Sequence, residues 1–143
     1  MKPVKITIKS SSGDMNKSDK LTVVVYGQMT ERSGKNYVLY DETALTGMEG
    51  TKTTIKWDEK SLLVLRTGTY DNRQEYRQGC SYESIYTTPY LVVPIKVTTK
   101  EVIAKKANGI WRLHVEYDME IAQVDNGSVI LDIKIEEDVS SEH

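Results

Sequence analysis

At 143 residues, with 38% apolar and 28% charged residues, the chain has the size and composition of one globular domain with its own core. A net charge of −2 with both signs interspersed excludes the clustered Lys and Arg that phosphate neutralisation requires, so no nucleic-acid partner is expected. Cys80 is the single cysteine, no apolar leader opens the sequence, and no apolar run approaches the ~20 residues of a membrane helix, so a soluble, cytoplasmic protein with no membrane partner is expected.

Along the chain, Val4, Ile6 and Ile8 alternate with Lys5, Thr7 and Lys9, the period of a strand with one buried face. Ser10 to Asp14 reads as a polar loop, and Leu21 to Met29 as the next strand. Ser33-Gly34-Lys35-Asn36 turns the chain into a strand from Tyr37 to Thr43. After Gly47 and Gly50 come strands from Thr51 to Trp57, Ser61 to Thr67 and Asn72 to Gln78. Tyr82 to Tyr86 reads either as a single helical turn or as a loop, with Pro89 nearby. Leu91 to Thr99 is a β-branched strand whose ladder Pro94 should break or place at an edge.

The clearest alternation runs from Ile110 to Val124. Trp111, Leu113, Val115, Tyr117, Met119 and Ile121 share one face; Arg112, His114, Glu116, Asp118 and Glu120 share the other. A last strand places Val129, Leu131, Ile133 and Ile135 on one side, and Asp125-Asn126-Gly127 reads as the hairpin turn before it, because both Asn and Gly tolerate positive φ. Consecutive hairpins with almost no helix predict an all-β fold: one antiparallel up-and-down barrel of about eight to ten strands, spanning residues 1–143 as a single domain.

Several stretches carry a resemblance in order and spacing over nearly the whole chain: Tyr37-Val38-Leu39-Tyr40-Asp41-Glu42, Gly47, Val64-Leu65-Arg66-Thr67-Gly68, and Tyr117-Asp118-Met119. Together they resemble the YwiB-like family, small bacterial proteins with a lipocalin-like, calycin-like β-barrel. The resemblance implies that fold and carries over no catalytic residue, since the family has no assigned activity. The chain departs from the family pattern at Tyr90-Leu91 after Thr88-Pro89, where a glycine is usual.

Among candidate chemical groups, Arg66 shares a face with Leu62 and Val64, so an always-charged side chain points toward the interior. An ion pair with Glu42 or Glu75 is the expected compensation; the alternative is an anchor for the carboxylate or phosphate of an amphipathic ligand. Trp57, Trp111, Tyr40 and Tyr117 would then line the ligand, or else fill a small barrel. His114, Glu116 and Asp118 alternate on one face and could approach a divalent metal, but a solvated exterior accounts for the same stripe, and no metal or other cofactor is expected. Cys80 has only His114 and His143 as potential bases, neither well placed, and no nucleophile elbow or phosphate loop occurs, so no enzyme is expected.

Val23-Val24-Val25 and Leu62-Leu63-Val64-Leu65 are apolar on both strand faces. A barrel open to water should alternate, so a second subunit is expected over Val24, Leu63 and Leu65. The functional expectation is a homodimeric, non-enzymatic module for a small apolar or amphipathic ligand, against a structural or regulatory interaction module whose barrel is filled by its own side chains.

Overall fold

The computed structural model describes residues 1–14 and 17–139, with the side chains of 13–19 left aside. Ten strands form one antiparallel sheet: β1 Lys2–Asp14, β2 Lys17–Arg32, β3 Lys35–Asp41, β4 Thr51–Trp57, β5 Ser61–Gly68, β6 Asn72–Arg77, β7 Ser81–Thr87, β8 Val92–Ala107, β9 Ile110–Ile121 and β10 Val124–Glu137. Neighbours in the chain are neighbours in the sheet except at one place, and one further pairing joins the first and last strands. β1 pairs with β10 along a full ladder from Val4↔Glu137 to Ser12↔Val129, while β6 and β7 share no ladder. The up-and-down barrel is therefore nearly closed, with its seam between two consecutive strands.

The seam is fastened at both ends and stitched by side chains between. Asp71 and Thr87 exchange two backbone hydrogen bonds of 2.9 Å at one end; at the other, Gly79 N–H donates to Thr99 and Thr99 N–H to Cys80. In the middle, Asn72 Nδ2 donates to the Ile85 carbonyl (3.1 Å) and to Ser84 Oγ (3.2 Å), and Ser84 Oγ donates to Gln74 Oε1 (3.0 Å). These polar side chains stand where ladder bonds would otherwise satisfy the two edges.

Alternation explains the interior. Val4, Ile6, Ile55, Val115 and Ile135 are almost wholly buried, each with at least one charged or polar neighbour along the strand on the outer face. At the end of the barrel near the β4–β5 and β8–β9 turns, Trp57 is 1% exposed and its ring lies 5.6 Å from that of Trp111, edge to face. Tyr76 and Tyr117 pack at 4.8 Å farther in.

Three local expectations are corrected. Ser10 to Asp14 is not a loop but the end of β1, paired with β2 through Asp14↔Lys17. Tyr82 to Tyr86 is neither helix nor loop; it lies in β7, where Tyr82, Ser84 and Tyr86 point inward and pairing with β8 outweighs the weak helical spacing of the tyrosines. The hairpin before β10 turns at Ala122-Gln123, not at Asp125-Asn126-Gly127. Both turn residues have positive φ (52° and 68°), whereas Asn126-Gly127 forms a bulge between the pairs Asp125↔Glu120 and Ser128↔Asp118. A Gly at φ 89° serves a bulge as readily as a turn, so the dipeptide alone does not tell the two apart. Pro94 sits where β8 pairs with β7 alone, β9 joining only from Ile95, as its missing N–H requires.

Candidate functional site

At the barrel end opposite the tryptophans, β3, β4, β5, β6 and β7 present inward the side chains of Tyr40, Thr53, Arg66, Asn72, Gln74 and Tyr86. Arg66 stands opposite Thr53 on β4 and Asn72 on β6. Its guanidinium forms no ion pair among the described residues, and its Nε is buried without an acceptor. The expected pair is thereby corrected. Glu75 lies on the outer face opposite Leu63 and reaches Arg73 at 3.4 Å, while Glu42, 5% exposed, accepts a 2.6 Å hydrogen bond from Thr53 Oγ1.

A ring of phenols surrounds this cation. Burial pushes the hydroxyls of Tyr40, Tyr76, Tyr86 and Tyr117 above their ordinary pKa, and the Arg66 charge pulls each of them partly back. All four are therefore neutral at physiological pH, and none adds a negative charge beside Arg66. A second donor, Gln74 Nε2, is also buried and unpartnered. An unpaired buried donor costs about 1–3 kcal/mol, and the indole Nε1 atoms of Trp57 and Trp111 at the far end are orphaned in the same way.

The loop between β3 and β4 lies over this mouth. Thr43 caps a 3-10 turn, Ala44–Thr46, and Gly47 ends it in the left-handed region at φ 78°. Farther along, Met48 Sδ accepts from Tyr86 Oη at 3.4 Å, and Tyr86 meets Tyr70 edge to face at 6.1 Å. Leu45 in this loop and Tyr90 in the β7–β8 turn are each 87% exposed. The opposite end has polar turns, such as Ser33-Gly34 and Asp58-Glu59-Lys60.

A family model described as a domain of unknown function, DUF1934, matches residues 6–133. The chain belongs to the DUF1934 family. The crystal structure of the ywiB protein from Bacillus subtilis superposes with a TM-score of 0.83 over 96% of this chain and 93% of that one, at 21% identity, which shows a shared fold. No curated protein matches.

Most of the remaining candidates in this DUF1934 chain fall outside the mouth. Trp57 and Trp111 lie at the far end of the barrel, against each other and away from Arg66, whereas Tyr40 and Tyr117 fall within reach of its charge. Leu63 and Leu65 point outward but are half covered by their cross-strand neighbours Lys56, Glu75, Thr54 and Arg73, and Val24 is 40% exposed. Cys80 is an exposed free thiol in the β6–β7 turn, beside a groove of about 250 Å³ lined by Trp57, Leu63, Tyr76 and Arg77. His114, the base considered for it, faces outward on β9; His143 lies outside the described residues.

On the outer face, His114 and Glu116 meet Glu101 rather than Asp118. A bulge at Thr99/Glu101 sets Glu101 opposite Glu116, and one ligand atom from each of Glu101, His114 and Glu116 falls within 4.8 Å of the others. Glu101 and Glu116 share a hydrogen bond that raises the pKa of the first and lowers that of the second. A 2.6 Å bond to Asp132 raises that of His114. Asp118 instead pairs with Lys100 at 3.1 Å and accepts from Ser128. The sequence hides Glu101 because its facing depends on a bulge that alternation does not encode.

Proposed function

We propose that this barrel is a non-enzymatic, cytoplasmic binding module, homodimeric, that holds a small amphipathic ligand by its carboxylate at Arg66. The observation that carries the reading is the inward guanidinium with neither Glu42 nor Glu75 as a partner, beside a second orphaned donor on Gln74. One cation supports a monoanion. A dianionic phosphate would exceed the single cation by one charge in a low-dielectric site. The ligand enters acid first. Trp57, Trp111, Tyr76 and Tyr117 occupy the interior below, so the apolar part lies across Leu45, Met48, Tyr90 and Leu91 at the mouth.

The filled lower barrel also favours a second reading, an interaction module whose side-chain-packed barrel serves as a scaffold. Titration of a fluorescent fatty-acid analogue separates the two. The binding reading expects saturable binding to the wild type, weakened at least tenfold in Arg66→Met, the fold-change of about 1.4 kcal/mol. Stability should change by less than about 1 kcal/mol, because no ion pair is lost. Absence of saturable binding to the wild type leaves the scaffold reading standing.

A further inference from the structure

β2 loses its outer neighbour partway along its length. From Gln28 to Arg32 it pairs with β3, and with β1 as well at Gln28 and Met29; from Lys17 to Gly27 it pairs with β1 alone among the described residues. The chain of β3 approaches β2 closely at Gly27, then leaves the ladder at Asp41 for the 3-10 turn. Among the described residues this row of backbone donors and acceptors has no partner on its outer side, beside Leu21 at 60%, Val24 at 40% and Tyr26 at 58% exposure.

Edges of this length are normally blunted by a charge, a proline or a bulge. Here charges stand only at the tip, at Lys17, Asp19 and Lys20; Leu21-Thr22-Val23-Val24-Val25-Tyr26 has no charge, proline or bulge. We infer that this edge pairs with the same stretch of a second copy, antiparallel, about a two-fold axis at Val23. The inference rests on the homodimer half of the proposed function and gives that dimer an interface.

The stretch itself argues for a second copy as occupant. With Val23 opposite Val23, Leu21 meets Val25, Thr22 meets Val24 and Lys20 meets Tyr26. The odd positions all face one side, so apolar meets apolar on that side of the joined sheet. On the other side β-branched residues meet, and the single charge falls against an aromatic ring. No like charges oppose. A slip by one residue would put the inward row of one copy against the outward row of the other, which fixes the register in steps of two. A closed two-fold contact of this kind uses one patch on both copies. Leu63 and Leu65, the outward apolar pair on β5, are already half covered by their own neighbours.

Sedimentation at tens of micromolar should give a dimer for the wild type. Val24→Lys, a change at an exposed position, should weaken it at least tenfold without altering the fold by circular dichroism. In a Cys80→Ser background, Val23→Cys should cross-link to itself on oxidation or with a short bis-thiol reagent, and Leu21→Cys should not. A wild-type monomer overturns both this inference and the homodimer. A dimer that survives Val24→Lys overturns the edge alone and returns attention to Leu63 and Leu65. Dissociation by Val24→Lys without cross-linking at Val23 overturns the two-fold register.

Discussion

Gly27 shows how one missing side chain shapes the mouth. A Cβ built there would stand 2.3 Å from the Leu39 carbonyl oxygen and 2.9 Å from Tyr40 Cβ, so β3 can cross at this height only because the position is glycine. Its backbone is not in the left-handed region; close approach is the reason for glycine here. Gly27→Ala should destabilise the protein by about 2 kcal/mol, the cost of forcing backbone and Tyr40 apart. Calorimetry should show the melting temperature lower by about 4–8 °C for a domain of this length. Arg66 was legible at the same scale: alternation alone turned it inward. Its partner was not. Glu75 faces outward once β6 is in register with β5, and Glu42, buried on the same phase as Tyr40, has its carboxylate engaged by Thr53 Oγ1 instead.

Among the elements, the hairpins and their faces were legible because burial on one side enforces a period of two, and the strands with the strongest alternation, β9 and β10, came out with the expected inward residues. What misled was the meaning of turn residues. Ala122 and Gln123 carry no turn signal, yet they make the β9–β10 connection with both φ values positive, a conformation that L-residues adopt at a cost of about 1–2 kcal/mol each. Ile121 and Val124 pair across a two-residue loop, and the tertiary register of the long hairpin fixes that loop's position. Replacing Ala122-Gln123 by Asn-Gly should therefore stabilise the protein by about 1 kcal/mol, read as a shift of the urea midpoint with an unchanged slope. An unchanged or lower midpoint would mean that the loop's own residues make compensating contacts.

For the whole molecule, the barrel is unevenly fastened. Nine of the junctions between strands are ladders; the tenth, between β6 and β7, rests on one backbone bridge, the Thr99 contacts and the side chains of Asn72, Gln74 and Ser84. Amides of Arg73 to Arg77 that face the seam should exchange with deuterium faster than those of β1, β9 and β10, and Asn72→Ala should speed them further while leaving β1 unaffected. Uniform exchange across all ten strands would show the side-chain stitching to be as strong as a ladder. The seam also bears on the Arg66 site, because Asn72 and Gln74 belong to both.

The full β1–β10 ladder has a further consequence for topology. Asp138 N–H reaches the Pro3 carbonyl at 3.0 Å, so the two outermost strands of the sequence are neighbours at the centre of the sheet. Written from β7 through β10 and on from β1 to β6, the strands run in unbroken spatial order from one side of the seam to the other. The molecule is thus a ten-stranded ribbon rolled until its margins touch, with the covalent link at residues 78–80 spanning those margins. Cutting that link and joining the chain beside Pro3 would reorder the sequence without severing one strand-to-strand ladder.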